Sequence, residues 1–274
     1  MIDGTFIITG ATGGIGAAIT RGVIERGARH VILACRNAEK CRVLIEEMHS
    51  RYGVSPEFMP LNLESFSSVR EFASACSACG FSISALFNNA GTMPAGVRVT
   101  DDGFELATQV NFLSTGMLTE LLLPLMSSGS GIIFTTSMTR RIVGLRHDWR
   151  QCAVEHHGRF TTYGRSKLML THYALDLSLR LADMGVSVNC SDPGVVDSAI
   201  ITMGNPLVDK LADILVRPVI STPAQGAKPA LDAAGSGLTG QIFTLYGHSP
   251  IPARYLSQPL HPVAQAAIHS LTAM

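Results

Sequence analysis

The sequence predicts an α/β fold: a single doubly wound domain over residues 1–274, built on a parallel sheet of about seven strands with helices on both faces. Three observations carry that expectation. Short apolar, β-branched runs alternate with stretches of helical spacing, the first run is closed by glycines before a helix begins, and no linker, repeat or low-complexity segment interrupts the order. Strand-helix alternation of this kind implies a parallel sheet, and such sheets commonly reach this length as one unit.

Thr5 to Thr9 is the first strand pattern, and Ala17 to Arg26 has helical spacing before Gly27 stops it. His30 to Ala34 reads as a second buried strand, followed by a helix from Ala38 to about Arg51. Further strands are expected at Pro56 to Leu61, Ala85 to Asn88, Gly131 to Thr136, Val186 to Cys190 and Gln241 to Tyr246. Helical patterns near 66–78, 102–127, 163–183 and 223–234 separate them. Proline and glycine become denser after Pro193, which reads as loops on the same domain.

Hydrophobic residues make up 46% of the chain and charged ones 15%, enough apolar side chain for a large core and too little charge for disorder. Acidic and basic side chains balance at 21 each with no Lys/Arg-rich run, which argues against nucleic acid or anionic lipid and leaves a small-molecule substrate. The apolar stretch Leu121 to Met126 contains Pro124 and falls short of the roughly 20 residues of a bilayer span, so no transmembrane helix is expected. Met1 to Thr5 leads into a strand without basic or apolar leader regions, and a cytoplasmic location is expected. The scattered Cys35, Cys41, Cys76, Cys79, Cys152 and Cys190 fit reduced thiols, with no structural disulfide.

Between the first strand and helix lies Gly10-Ala11-Thr12-Gly13-Gly14-Ile15-Gly16. A helix N-terminus there offers unpaired N–H groups to a pyrophosphate. Gly10 allows the tight turn, Gly14 close backbone approach and Gly16 helix-strand packing, the features of a Rossmann-type nucleotide site. At the end of the second strand, Arg36 stands where an NAD site would place a carboxylate for the ribose 2′-hydroxyl. A guanidinium suits the 2′-phosphate of NADP instead, and an exposed strand-end arginine is the alternative.

Tyr163 and Lys167 are four apart, so phenol and ammonium share one helix face at the start of the helix that follows Thr161-Thr162. A neighbouring cation favours the phenolate, so the tyrosine pKa is expected to fall toward the working range.

Together these residues resemble the short-chain dehydrogenase/reductase family over residues 4 to 246. Its TGxxxGxG turn is matched by Thr9 to Gly16, its YxxxK by Tyr163 to Lys167, its NNAG by Asn88-Asn89-Ala90-Gly91 and its PG by Pro193-Gly194. Asn111 and Ser137 fall at the places of the family's catalytic asparagine and serine, ahead of Ser127, Ser128 and Ser130 as candidates. The resemblance implies proton transfer by Tyr163, carbonyl orientation by Ser137, cofactor ribose binding by Lys167 and support of a water relay by Asn111. It also implies cofactor contacts from Thr12, Gly13, Ile15, Asn62, Leu63, Asn89, Ala90, Gly91, Pro193, Gly194 and Val196. The stretch Ala34-Cys35-Arg36, the run Val110 to Leu113 and Pro193 to Val196 are similar to retinol-dehydrogenase-like and protochlorophyllide-reductase-like members, which mostly prefer NADP. Asn62 departs from the family's usual aspartate, and a membrane-anchoring N-terminal segment of many retinol dehydrogenases is missing from this sequence.

An NADPH-dependent carbonyl/alcohol oxidoreductase acting on an apolar small molecule is therefore expected, with NAD the lesser candidate. C=C reduction on the same scaffold and a non-catalytic dinucleotide sensor are the alternatives. Residues from about 197 to 222 take the place of the family's substrate loop, and the apolar run within them fits a lid or a packing surface. A homodimer or homotetramer is expected by resemblance. Cys76-Ser77-Ala78-Cys79 lacks a partner pair for zinc, and no metal site is expected. His147, His156 and His157, near Trp149, read as solvated loop histidines or substrate contacts.

Overall fold

Eight strands form one sheet in the order β3-β2-β1-β4-β5-β6-β7-β8: β1 (Thr5–Thr9), β2 (His30–Cys35), β3 (Glu57–Pro60), β4 (Ile83–Asn88), β5 (Met126–Thr135), β6 (Ser187–Ser191), β7 (Gln241–Thr244) and β8 (Gly247–Pro250). The first seven run parallel and β8 folds back antiparallel on β7. This computed structural model describes residues 4–144, 154, 158–195, 221–255, 268, 271 and 272. Val196, His147, Trp149, Cys152, His156, His157 and the stretch 197–220 lie outside the described residues. The eighth strand exceeds the expected seven because Gly247-His248-Ser249-Pro250 is exposed throughout and lacks the apolar run that marks a buried strand.

The described helices are α1 (Gly14–Glu25), α2 (Ala38–Tyr52), α3 (Phe66–Cys79), α4, α5 (Arg159–Arg180) and α6 (Pro223–Gly235). Here α4 denotes the continuous run Leu106–Thr108, a π-helical stretch Gln109–Leu113 and Ser114–Leu122. It is shorter than the expected 102–127. A turn with Gly103 at φ +85° precedes it, and Pro124 in a short 3₁₀ turn follows it, so β5 already begins at Met126. Conversely, α5 starts at Arg159, placing Thr161 and Thr162 inside the helix and Tyr163 in its second turn.

Alternate side chains of the strands feed two cores. Ile7, Ile32, Leu86, Ile132, Phe134 and Val188 pack against α3, α4 and α5, while Phe6, Ile8, Leu33, Phe87 and Ile133 pack against α1, α2 and α6. This period-two division is what makes β1 and β2 read as continuously apolar. Among the described cysteines all are free thiols; Cys76 is buried and Cys79 exposed on α3. Burial pushes the Cys41 thiol up to about 12, keeping it protonated beside Cys35. No described helix is long and apolar enough to cross a membrane, and no described cluster of His, Cys, Asp or Glu could hold a metal ion.

The strand order reverses between β1 and β4. Beyond the carboxyl ends of strands flanking such a switch point a crevice opens, and here it is a cleft of about 890 Å³.

Candidate active site

The glycine-rich turn forms one wall of the cleft, with Gly10, Thr12, Gly13, Gly14, Ile15 and Gly16 lining it. Gly10 has φ +63°, and a Cβ there would sit 2.9 Å from Ala90 Cα. A Cβ on Gly16 would meet the Gly10 carbonyl oxygen and lie 2.9 Å from both Ala11 Cα and Asn89 Nδ2. Only glycine lets α1 approach β1 and the Asn89-Ala90 backbone this closely. Gly13 caps α1 without a side-chain hydrogen bond, and no acidic residue occupies the first turn. The helix N-terminus thus presents uncapped amides and its positive dipole end, which fits a pyrophosphate.

Thr9 fixes the adjoining wall. Its hydroxyl accepts from the amides of Asn89 and Ala90 at 3.0 Å each and donates to the Phe87 carbonyl, while Asn89 Nδ2 donates to the Thr9 carbonyl at 3.0 Å. Asn89, Ala90 and Gly91 line the cleft, as do Leu61, Asn62 and Leu63. Asn62 Oδ1 accepts from the Glu64 amide at 3.1 Å, which fixes this turn. Arg36 also borders the cleft, but its guanidinium pairs with Glu64, whose other oxygen takes Arg98 Nη2 at 2.6 Å. Arg36, Glu64 and Arg98 therefore form a cluster, and Lys40 adds a further cation to the lining.

Tyr163, Lys167, Ser137, Pro193 and Gly194 close the other end of the same cleft. Ser137 leaves β5 as the cap of the 3₁₀ turn Met138–Arg141, and its Oγ accepts from the Thr139 amide and hydroxyl at 3.3 and 3.0 Å. Ser127, Ser128 and Ser130 sit at the other end of β5, where Ser130 Oγ donates to the Ile83 carbonyl. Lys167 Nζ is buried and donates to the Thr135 carbonyl at 2.7 Å. Asn111 lies in the π-helical stretch, fully buried, and clamps the NNAG loop: Oδ1 accepts from the Thr92 amide at 2.7 Å, and Nδ2 donates to the Thr92 carbonyl and Ser166 Oγ at 2.9 Å. Single π-helical turns of this kind recur at functional sites.

The expected fall in the tyrosine pKa does not occur. Burial pushes the Tyr163 hydroxyl from 10.0 up to about 12; its hydrogen bond with Ser137 pulls it back in part, and the Asp192 charge raises it again. Lys167 Nζ is 5.8 Å from the ring centroid and bonded to Thr135, so its attraction does not offset the loss of water. Burial brings the Lys167 ammonium itself down to about 8.

Sequence reading missed the polar frame around these groups. Thr135, Thr92 and Ser166 hold Lys167 and Asn111, and a buried ion pair, Arg140 with Asp192, lies beside Ser137. These partners meet across tens of residues and carry no local pattern.

Comparison with known proteins agrees with this geometry. The short chain dehydrogenase family matches residues 4–206. The chain is 34% identical over 259 residues to a polyprenol dehydrogenase of Danio rerio, covering 88% of this chain and 76% of that protein. It is 34% identical over 196 residues to retinol dehydrogenase 13 of Homo sapiens, covering 70% and 58% respectively. A crystal structure of an uncharacterized protein from Mycobacterium paratuberculosis superposes with a TM-score of 0.76 at 26% identity, over 99% of this chain and 94% of that one. With the switch-point cleft, the glycine turn and the Tyr163/Lys167 pair already in place, the match establishes that this chain belongs to the short-chain dehydrogenase family of oxidoreductases.

Proposed function

We propose that the protein is an NADPH-dependent oxidoreductase that interconverts a carbonyl and an alcohol on a lipophilic small molecule. The observation that carries this reading is the convergence of Tyr163, Ser137 and Lys167 on one end of a cleft whose other end is the uncapped α1 turn. A complete set of proton-handling and orienting groups in the same cleft as the glycine-rich turn supports chemistry over mere nucleotide sensing. Arg36, Lys40 and Arg98 place cations near the adenosine end, in favour of a 2′-phosphate. Met93, Val110, Met138, Phe160 and Val195 share the cleft with Tyr163, in favour of an apolar substrate. The names of the polyprenol and retinol dehydrogenases point the same way.

When bound, NADPH supplies the hydride. Gly13 to Gly16 would hold its pyrophosphate, Arg36 its 2′-phosphate, and Lys167 with Asn89, Ala90, Pro193 and Gly194 its nicotinamide half. Ser137 Oγ orients the carbonyl oxygen toward Tyr163. The Tyr163 hydroxyl, protonated throughout the physiological range by its burial, donates the proton to the forming alkoxide. Asn111 keeps the Thr92 backbone and Ser166 in register beneath them. By resemblance the enzyme works as a homodimer or homotetramer.

The test is a panel of lipophilic aldehydes, ketones and an enone, followed by loss of NADPH absorbance with product analysis. Wild-type enzyme is expected to reduce C=O with NADPH preferred over NADH, and Tyr163→Phe to lose turnover while still binding NADPH. Turnover by Tyr163→Phe at the wild-type rate would refute the acid role.

A further inference from the structure

Arg140 and Asp192 form an ion pair at 2.5 Å whose side chains are 2% and 4% exposed. Burying two charges is costly, and an apolar pair of the same volume commonly stabilises a fold as well or better. The location of the pair is therefore more informative than its strength. The ladder between β5 and β6 ends at Thr135 and Ser191, with one last bond from the Thr136 amide to the Ser191 carbonyl at 2.8 Å. Past that point the strands part, one toward Ser137 and the other toward Pro193-Gly194.

The ion pair is the next rung. Arg140 Nη1 donates both to the Ser137 carbonyl at 2.6 Å and to Asp192 Oδ2, and Asp192 Oδ1 accepts from the Gly194 amide at 3.2 Å. Asp192 is itself tethered to β7 through its amide and the Phe243 carbonyl at 2.8 Å. A single chain of polar contacts thus runs from the backbone of Ser137 to the turn at Gly194.

We propose that Arg140 and Asp192 are a positioning pair that locks the Ser137 turn to the Pro193-Gly194 turn, so that the group orienting the substrate carbonyl and the nicotinamide-side wall move as one body. This rests on the catalytic reading of Ser137 and Tyr163 given above. A pair that only stabilised the fold would be replaceable by apolar side chains without loss of turnover.

Four variants test this: Arg140→Met, Arg140→Lys, Asp192→Asn and the double Arg140→Met/Asp192→Leu. Each single neutralising change leaves one buried charge unpaired, so urea midpoint and kcat are both expected to fall. The double variant is expected to regain its urea midpoint while kcat stays about tenfold or more below wild type, because the two turns are no longer linked. Recovery of kcat to within about twofold of wild type, together with stability, would reduce the pair to a structural bridge and overturn the proposal. Arg140→Lys keeps one cationic donor for both acceptors and is expected to restore most of kcat. A lysine variant no better than methionine also overturns it, and this comparison stands if the double variant fails to fold.

A second readout needs no turnover. In Arg140→Met, hydrogen exchange at the Gly194 amide is expected to speed by about tenfold or more although Asp192 is intact, while amides of β1 and β4 change little. Exchange at Gly194 unchanged from wild type refutes the coupling. If wild-type enzyme reduces none of the carbonyl panel, or Tyr163→Phe remains active, the catalytic reading fails while this exchange result still decides the linkage.

Discussion

Replacing Lys167 by methionine should stabilise the fold at neutral pH while abolishing turnover. The ammonium is 2% exposed, and burial lowers its pKa from 10.5 to about 8. At about 1.4 kcal/mol per pH unit this difference corresponds to roughly 3 kcal/mol by which the folded state disfavours the charged form. Below pH 8 the side chain is charged both folded and unfolded, so the whole cost is present. Between about 8 and 10.5 the unfolded chain binds the proton and the folded chain does not, so stability rises with pH. Above 10.5 both states are neutral and the cost is gone.

Methionine removes that cost but leaves the Thr135 carbonyl without its donor, a loss of about 1 kcal/mol. The net gain at pH 7 is then roughly 2 kcal/mol, falling through zero to a net loss of about 1 kcal/mol as pH passes 10.5. Urea unfolding of both proteins across this range, read as the difference in stability, cancels contributions from other titrating groups. A difference that stays flat with pH, or a Lys167→Met protein less stable than wild type at pH 7, would refute the claim that Lys167 is held against its own desolvation.

Two further changes address the cofactor. Arg36→Ala should weaken NADPH binding by about tenfold or more through loss of a charge-assisted contact, and leave NADH nearly unaffected; equal losses for both by calorimetry would contradict the 2′-phosphate assignment. Gly16→Ala places a methyl group against the Gly10 carbonyl, Ala11 Cα and Asn89 Nδ2. Two of those three are backbone atoms that cannot step aside, so a loss of roughly 1–3 kcal/mol in thermal unfolding and of NADPH fluorescence enhancement is expected; wild-type binding by this variant would disprove the close-approach role.

What the sequence made legible follows the reach of each interaction along the chain. Strand β1, the glycine turn and helix α1 are written in consecutive residues, and the period-two division of Phe6, Ile7 and Ile8 between two cores is visible as an unbroken apolar run. The helix bearing Tyr163 begins earlier than its sequence pattern indicates, with Gly158 at φ +87° in the cap position. Arg36 borders the cleft, yet its pairing with Glu64 spans 28 residues and that of Arg98 with Glu64 spans 34. Neither leaves a local trace.

The sign of the Tyr163 shift shows the same limit in electrostatic terms. Spacing four residues apart establishes that phenol and ammonium share a face, which is a geometric statement. Which charge state they favour depends on how much water the surrounding elements exclude, and here desolvation is the largest influence on both groups. The consequence is mechanistic. A phenol held near 12 stays protonated across the physiological range, so the phenolate is reached only with additional positive charge in the cleft. Lys167, down at about 8, gives up its proton far more readily than Tyr163, so a neutral lysine beside a protonated phenol is the state the folded chain reaches first as pH rises.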